Sequence, residues 1–67
     1  MITLTINGDS HTCDKATTLT QLLVSLGIDP KKVAVERNLE IVPKSQFDDQ
    51  YIENNDNLEI VHFIGGG

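Results

Sequence analysis

Sixty-seven residues, 39% of them hydrophobic and 22% charged, allow one small domain with a thin core. Ten acids against five bases leave a net charge of -5, the wrong sign for a nucleic-acid surface or for docking on anionic lipid. A single cysteine, Cys13, excludes a disulfide framework and a four-thiolate zinc or iron–sulfur site within the chain. His11, Cys13 and His62 offer at most three ligands, two of them far apart in sequence, so no metal site is expected. A small chain without disulfide staples suits a reducing compartment. The opening residues lack the basic region and the apolar run of a signal peptide or a membrane span. A cytoplasmic location follows as the expectation.

Ile2, Leu4 and Ile6 alternate with Thr3 and Thr5, the period of a strand with one buried face. Asn7-Gly8 signals a tight hairpin, and residues 9–13 read as a second, polar strand at a sheet edge. Thr18 and Gln21 have the spacing of a capping box. Leu19, Leu22, Leu23 and Leu26 then form one apolar stripe at helical spacing. Gly27 suits the left-handed position that ends a helix, and Asp29-Pro30 forbids continuation.

Val33, Val35 and the run Leu39 to Val42 read as strands around a turn at Arg37-Asn38. Residues 43–47 predict a turn or a short 3₁₀ segment. From Asp48 to Glu59 there are five acids and no base. The run reads either as a solvated surface or as a patch facing a basic partner. In the last strand Leu58, Ile60, His62 and Ile64 share one face, and Glu59, Val61 and Phe63 the other. Apolar residues on both faces suggest a central strand.

The order β, β, α, β, β, β leaves one helix to cover one face of a mixed sheet. These constraints predict an α+β chain of the ubiquitin-like β-grasp type. It has four to five strands, with the last beside the first in the middle. The expected division is a β-grasp domain over residues 1–64 and a flexible glycine tail over residues 65–67.

Gly65, Gly66 and Gly67 bury nothing and lose the most backbone entropy on ordering, so stability does not explain them. Extended, they reach about 10 Å and can thread a narrow channel in another protein. A terminal carboxylate resists nucleophiles until it becomes a mixed anhydride with a phosphate, as in adenylation by ATP. A sulfur nucleophile can then attack its carbonyl. A Cβ beside that carbonyl would crowd the approach.

With these blocks in place, the sequence resembles the ThiS family of bacterial sulfur carriers of thiamin biosynthesis. The resemblance rests on residues 2–8, the helix from Thr18 to Leu26, residues 33–38 followed by Ile41-Val42-Pro43, and residues 58–67. It implies that the chain is a protein co-substrate and not an enzyme, with no bound cofactor. A partner adenylating enzyme of the ubiquitin-activating type would use ATP and magnesium to adenylate the Gly67 carboxylate. A cysteine desulfurase would supply the sulfur that makes it a thiocarboxylate, and thiazole synthase would take that sulfur. Gly65, Gly66 and Gly67 would be the tail that the partners grip. Two alternatives share parts of this pattern: the small subunit of molybdopterin synthase, and a ubiquitin-like modifier or interaction module.

If Leu58 and Ile60 face the helix, Val61 and Phe63 point away from it. Either they centre a face that docks on the adenylating enzyme and thiazole synthase, or Phe47 or Tyr51 folds over them. Cys13 reads as inert packing, His62 as a sheet residue with a satisfied hydrogen bond, His11 as solvated, and Arg37 and Asn38 as a turn.

Overall fold

The computed structural model describes residues 1–14 and 16–63. Strand β1 (Ile2–Ile6) pairs antiparallel with β2 (Asp9–Cys13), from Ile2 opposite Cys13 to Ile6 opposite Asp9. The turn between them has φ of 49° at Asn7 and 85° at Gly8. Two positive φ angles match the twist of the flanking strands, and glycine meets the second at no steric cost.

Helix α1 (Leu19–Ser25) starts at the expected capping box. The Thr18 hydroxyl accepts the Gln21 N–H at 3.2 Å, and the Gln21 side-chain oxygen accepts the Thr18 N–H at 3.0 Å. It ends where Gly27 takes a φ of 76°. There the Gly27 N–H donates to the Val24 carbonyl at 3.0 Å and the Ile28 N–H to the Leu23 carbonyl at 2.9 Å. That pairing is the Schellman arrangement, and Ile28 packs back on the core. Leu19, Leu22 and Leu23 are buried, but Leu26 is 39% exposed. The expected four-leucine stripe is therefore three residues long, because Leu26 is the C-cap, where the chain is already leaving the helix.

After a 3₁₀ turn at Pro30–Lys32, β3 (Val33–Arg37) and β4 (Glu40–Val42) form the second hairpin. Its turn is Asn38-Leu39, with φ of 52° and 73°. Arg37 thus belongs to the strand and Leu39 to the turn, a one-residue correction at each. Arg37 lies opposite Glu40, which leaves two residues to reverse the chain. A two-residue turn compatible with strand twist puts both in left-handed geometry. The second 3₁₀ turn, Lys44–Gln46, falls where the sequence breaks at Pro43.

Strand β5 (Asn57–His62) runs parallel to β1, with Thr5 opposite Asn57 and Ile6 opposite Leu58. It runs antiparallel to β3, from Val33 opposite His62 to Arg37 opposite Leu58. The sheet order is β2-β1-β5-β3-β4, a mixed five-stranded sheet with β5 in the middle and polar β2 at an edge. Alternate residues of the strands, including Leu4, Ile6, Val33, Val35, Leu58 and Ile60, bury against α1. Phe47 and Ile52 complete that core from the segment between β4 and β5. The α+β, ubiquitin-like β-grasp architecture read from the element order is the one observed.

Candidate functional site

Because successive side chains of a strand point to opposite faces, burying Leu58 and Ile60 against α1 turns Val61 to the other side. Val61 is 61% exposed and Phe63, just past β5, is 48% exposed. The residues that were the candidates to cover them do not. Phe47 is buried in the helix-side core, and its carbonyl accepts the Thr20 N–H at 3.1 Å. Tyr51 is exposed and bridges Thr18 at the start of the helix. Among the described residues the face bearing Val61 therefore stays open. Ala34 lies directly opposite Val61, and Glu36 lies between Glu59 and Ile41 in the register.

Two polar arrangements fix the ends of β5, and neither is signalled by composition. At its start sits Asp56, only 4% exposed. Its carboxylate accepts from Arg37 Nε at 2.9 Å, from Asn38 Nδ2 at 3.2 Å and from the Glu53 N–H at 2.8 Å. Arg37 also reaches exposed Glu53 at 3.1 Å. Burial alone would push the Asp56 carboxyl up. The hydrogen bonds from Arg37, Glu53 and Asn38, with the Arg37 charge, outweigh burial and hold it below the usual carboxylate range. The hydrogen bond that Arg37 donates to Asp56 in turn raises the Arg37 guanidinium against its own burial. The acidic run is thus not uniformly a solvated surface: one of its members is a buried joint between the second hairpin and β5. The side chain of Asn38 adds a second tie, its Oδ1 accepting the Asn57 N–H at 2.9 Å.

Farther along, β1 turns away at Asn7 and the Asn7 amide takes over its pairing with β5. Asn7 Oδ1 accepts the Ile60 N–H at 2.7 Å and Nδ2 donates to the Ile60 carbonyl at 3.2 Å. Beyond Ile60, β5 is held from the β3 side. The Phe63 N–H donates to the Lys32 carbonyl at 2.9 Å. Lys44 places its ammonium 4.6 Å from the centre of the Phe63 ring.

The remaining candidates separate. Cys13 is half-buried and packs on the core, as inert packing predicts. His11, opposite Leu4, is half-buried and not fully solvated, because its strand face is the helix-side face. His62 lies in β5 but is exposed, and its imidazole has no hydrogen-bond partner among the described residues. Among the described residues the expected satisfied bond is therefore not formed. Ile64 and the tail glycines Gly65, Gly66 and Gly67 lie outside the described residues. No group of three or more His, Cys, Asp or Glu able to hold a metal ion occurs among the described residues. No helix among them is long and apolar enough to cross a membrane.

Comparison with known proteins places this arrangement. The model of the ThiS family matches residues 4–67. A thiazole synthase of Paramagnetospirillum magneticum is 53% identical over 64 residues, 96% of this chain and 20% of that protein. The chain spans about a fifth of the length of the thiazole synthases it matches. The sulfur carrier protein ThiS of Bacillus subtilis is 42% identical over 65 residues, covering 96% of this chain and 98% of the relative. The crystal structure of the thiamine biosynthesis protein ThiS from Geobacter metallireducens superposes with a TM-score of 0.83 at 33% identity, over 98% of this chain and all of that one. The match of the family model across nearly the whole chain, and a relative aligned almost end to end at this identity, are decisive: the chain belongs to the ThiS family.

Proposed function

We propose that this chain is a bacterial sulfur carrier of thiamin biosynthesis, and that Gly67 bears the carboxyl group that carries the sulfur. The chain acts as a co-substrate and not as a catalyst. The observation that carries the reading is the family match running through residue 67, with three glycines beginning three residues after the last residue of the central strand in the sequence. Whole-length likeness to a protein named as a sulfur carrier supports it further.

The chemistry is that of an activated acyl group. In a partner adenylating enzyme of the ubiquitin-activating type, the Gly67 carboxylate attacks the α-phosphate of ATP, with magnesium on the phosphates, and pyrophosphate leaves. The outer sulfur of a persulfide made by a cysteine desulfurase then attacks the acyl carbonyl and expels AMP. A thiol cleaves the S–S bond of the resulting acyl disulfide, ending as a disulfide itself while the thiocarboxylate is released. Thiazole synthase, the name of two relatives that contain a similar segment, removes the sulfur for ring formation. Side-chain-free Gly65, Gly66 and Gly67 let both partners grip the tail in a narrow channel. Val61 and Phe63 centre the face that docks, an aromatic anchor beside an aliphatic one on a surface left open among the described residues. All of these steps belong to the cytoplasm.

The test is an intact mass after incubation with an adenylating enzyme, ATP, magnesium and a sulfur source. A mass gain equal to sulfur replacing one oxygen at Gly67 is expected, and the same spectrum reads whether Gly67 is the last residue. Conjugates to larger proteins, or an unchanged mass, overturn the reading.

A further inference from the structure

The end of β5 is held asymmetrically. On one side its last backbone partner is the Asn7 amide at Ile60. On the other, β3 follows it to His62, and the 3₁₀ turn before β3 continues the contact, the Phe63 N–H reaching the Lys32 carbonyl. The Phe63 side chain makes a contact of a different kind, with Lys44. The ammonium lies 4.6 Å from the ring centre, inside the roughly 6 Å at which a cation is attracted by the ring face.

That cation is itself fixed. Lys44 Nζ donates to the Lys31 carbonyl at 2.8 Å. Lys31 lies in the 3₁₀ turn that leads into β3, and Lys44 starts the 3₁₀ turn that follows β4. One ammonium therefore joins the entrance of β3, the exit of β4 and the ring that follows β5. Lys44 forms no ion pair with a carboxylate among the described residues, so its charge is left to the carbonyl dipole and the ring. An exposed lysine side chain is ordinarily left free in water, since fixing it costs rotamer entropy. Here two directed contacts fix it at the docking face.

We infer that Lys44 is a positioning residue for the docking of this sulfur carrier: it orients the Phe63 ring before the adenylating enzyme arrives. The inference rests on the sulfur-carrier reading for its partner, but not for its geometry. Preorganising an anchor ring raises affinity without touching the reacting carboxyl. Lys44 therefore acts on the apparent KM for the carrier and not on kcat.

The experiment uses the full chain and four variants: Lys44→Met, which keeps most of the apolar stem, Lys44→Arg, Phe63→Leu, and Lys44→Met with Phe63→Leu. Lys44→Met is expected to raise the carrier's KM with the adenylating enzyme by about two- to fivefold, the scale of an exposed cation–ring contact, with kcat unchanged. Lys44→Arg restores the wild-type KM, since a guanidinium both stacks on a ring and donates to a carbonyl. In the Phe63→Leu background the methionine substitution has no further effect. A KM unchanged by Lys44→Met, a full effect persisting without the ring, or failure of arginine to rescue overturns the inference.

A second readout needs no partner. The heteronuclear NOE of the Phe63 amide and the shifts of its ring protons change in Lys44→Met and return in Lys44→Arg. Identical spectra across the three proteins sink the proposal even if sulfur loading succeeds. If wild type gains no sulfur while the spectra respond as expected, the sulfur-carrier reading has failed and the Lys44–Phe63 geometry stands without its docking role.

Discussion

The two faces of the central sheet are written by alternate residues of the same strands, yet they behave as different surfaces. Toward α1, Leu4, Val33, Val35 and Leu58 are essentially inaccessible to water. On the reverse, Val61 and Ile41 are more than half exposed, and Phe63 is nearly so. The apolar side chains are similar in kind, so the difference lies in what covers them. A helix of seven residues with the 43–52 segment covers one side of a sheet and no more. Apolar area that is removed from water contributes to stability, and area left in water does not. The covered face therefore holds the fold, and the open face is free to bind.

The sharpest way to break this division is to remove Gly66 and Gly67. Sulfur loading is expected to vanish entirely, read by intact mass, while stability in urea stays within about 0.5 kcal/mol of wild type. Loss of stability on that deletion would tie the tail to the fold. Next in size, Leu23→Ala on the covered face, at 0% exposure, should cost about 3 kcal/mol by transfer and cavity terms, measured from the urea midpoint.

Asp56 tests the polar joint that the apolar comparison leaves out. Asp56→Ala is expected to cost about 2 kcal/mol, because it leaves Arg37 and the Glu53 N–H without their shared acceptor. The pH dependence has a definite sign. Asp56 titrates below its unfolded value, so its contribution is complete above the unfolded pKa of about 3.9. It is lost as pH falls through the lower, folded value. Acid titration of wild type and Asp56→Ala by circular dichroism should show the gap between them closing below that pH.

Val61→Ser sharpens the contrast from the open side. Its stability should stay within about 0.5 kcal/mol of wild type, while affinity for thiazole synthase, measured by calorimetry, falls about tenfold. A change in stability comparable to that of Leu23→Ala would mean that the open face belongs to the core after all. The smallest effect is expected at Leu39, which takes a φ of 73° and is 86% exposed. Leu39→Gly relieves left-handed strain that exceeds the added backbone entropy cost of glycine, for a net gain of about 0.5 kcal/mol in thermal unfolding.

The readings that held are those in which a short stretch specifies its own geometry. Asn7-Gly8, the Thr18 and Gln21 capping box and Gly27 each set local dihedrals or satisfy local backbone groups, so three or four residues carry the whole signal. What failed or went unread depends on strand register, on where a helix ends, or on partners distant in sequence. The place of Leu39 follows from the pairing of Arg37 with Glu40, and a one-residue difference in register moves it from strand to turn. Leu26 fits the helical period but lies at the C-cap. Asp56, in a stretch of loop composition, is buried by Arg37 and Asn38 on a different hairpin. Lys44, a lone charge after Pro43, gains its role from a ring 19 residues later, by the difference of the two residue numbers.

By itself the sequence determined the strands, the helix and its caps, the central place of β5, and the glycine-ended pattern that marks the family. These depend on side-chain period, turn chemistry and composition, which are properties of neighbours along the chain. Tertiary structure alone decided that the face of Val61 stays open, that Asp56 is a buried joint and that Lys44 sits over Phe63. Exposure and ion pairing are set by which segments meet in space, and those meetings are fixed only when the sheet closes its register.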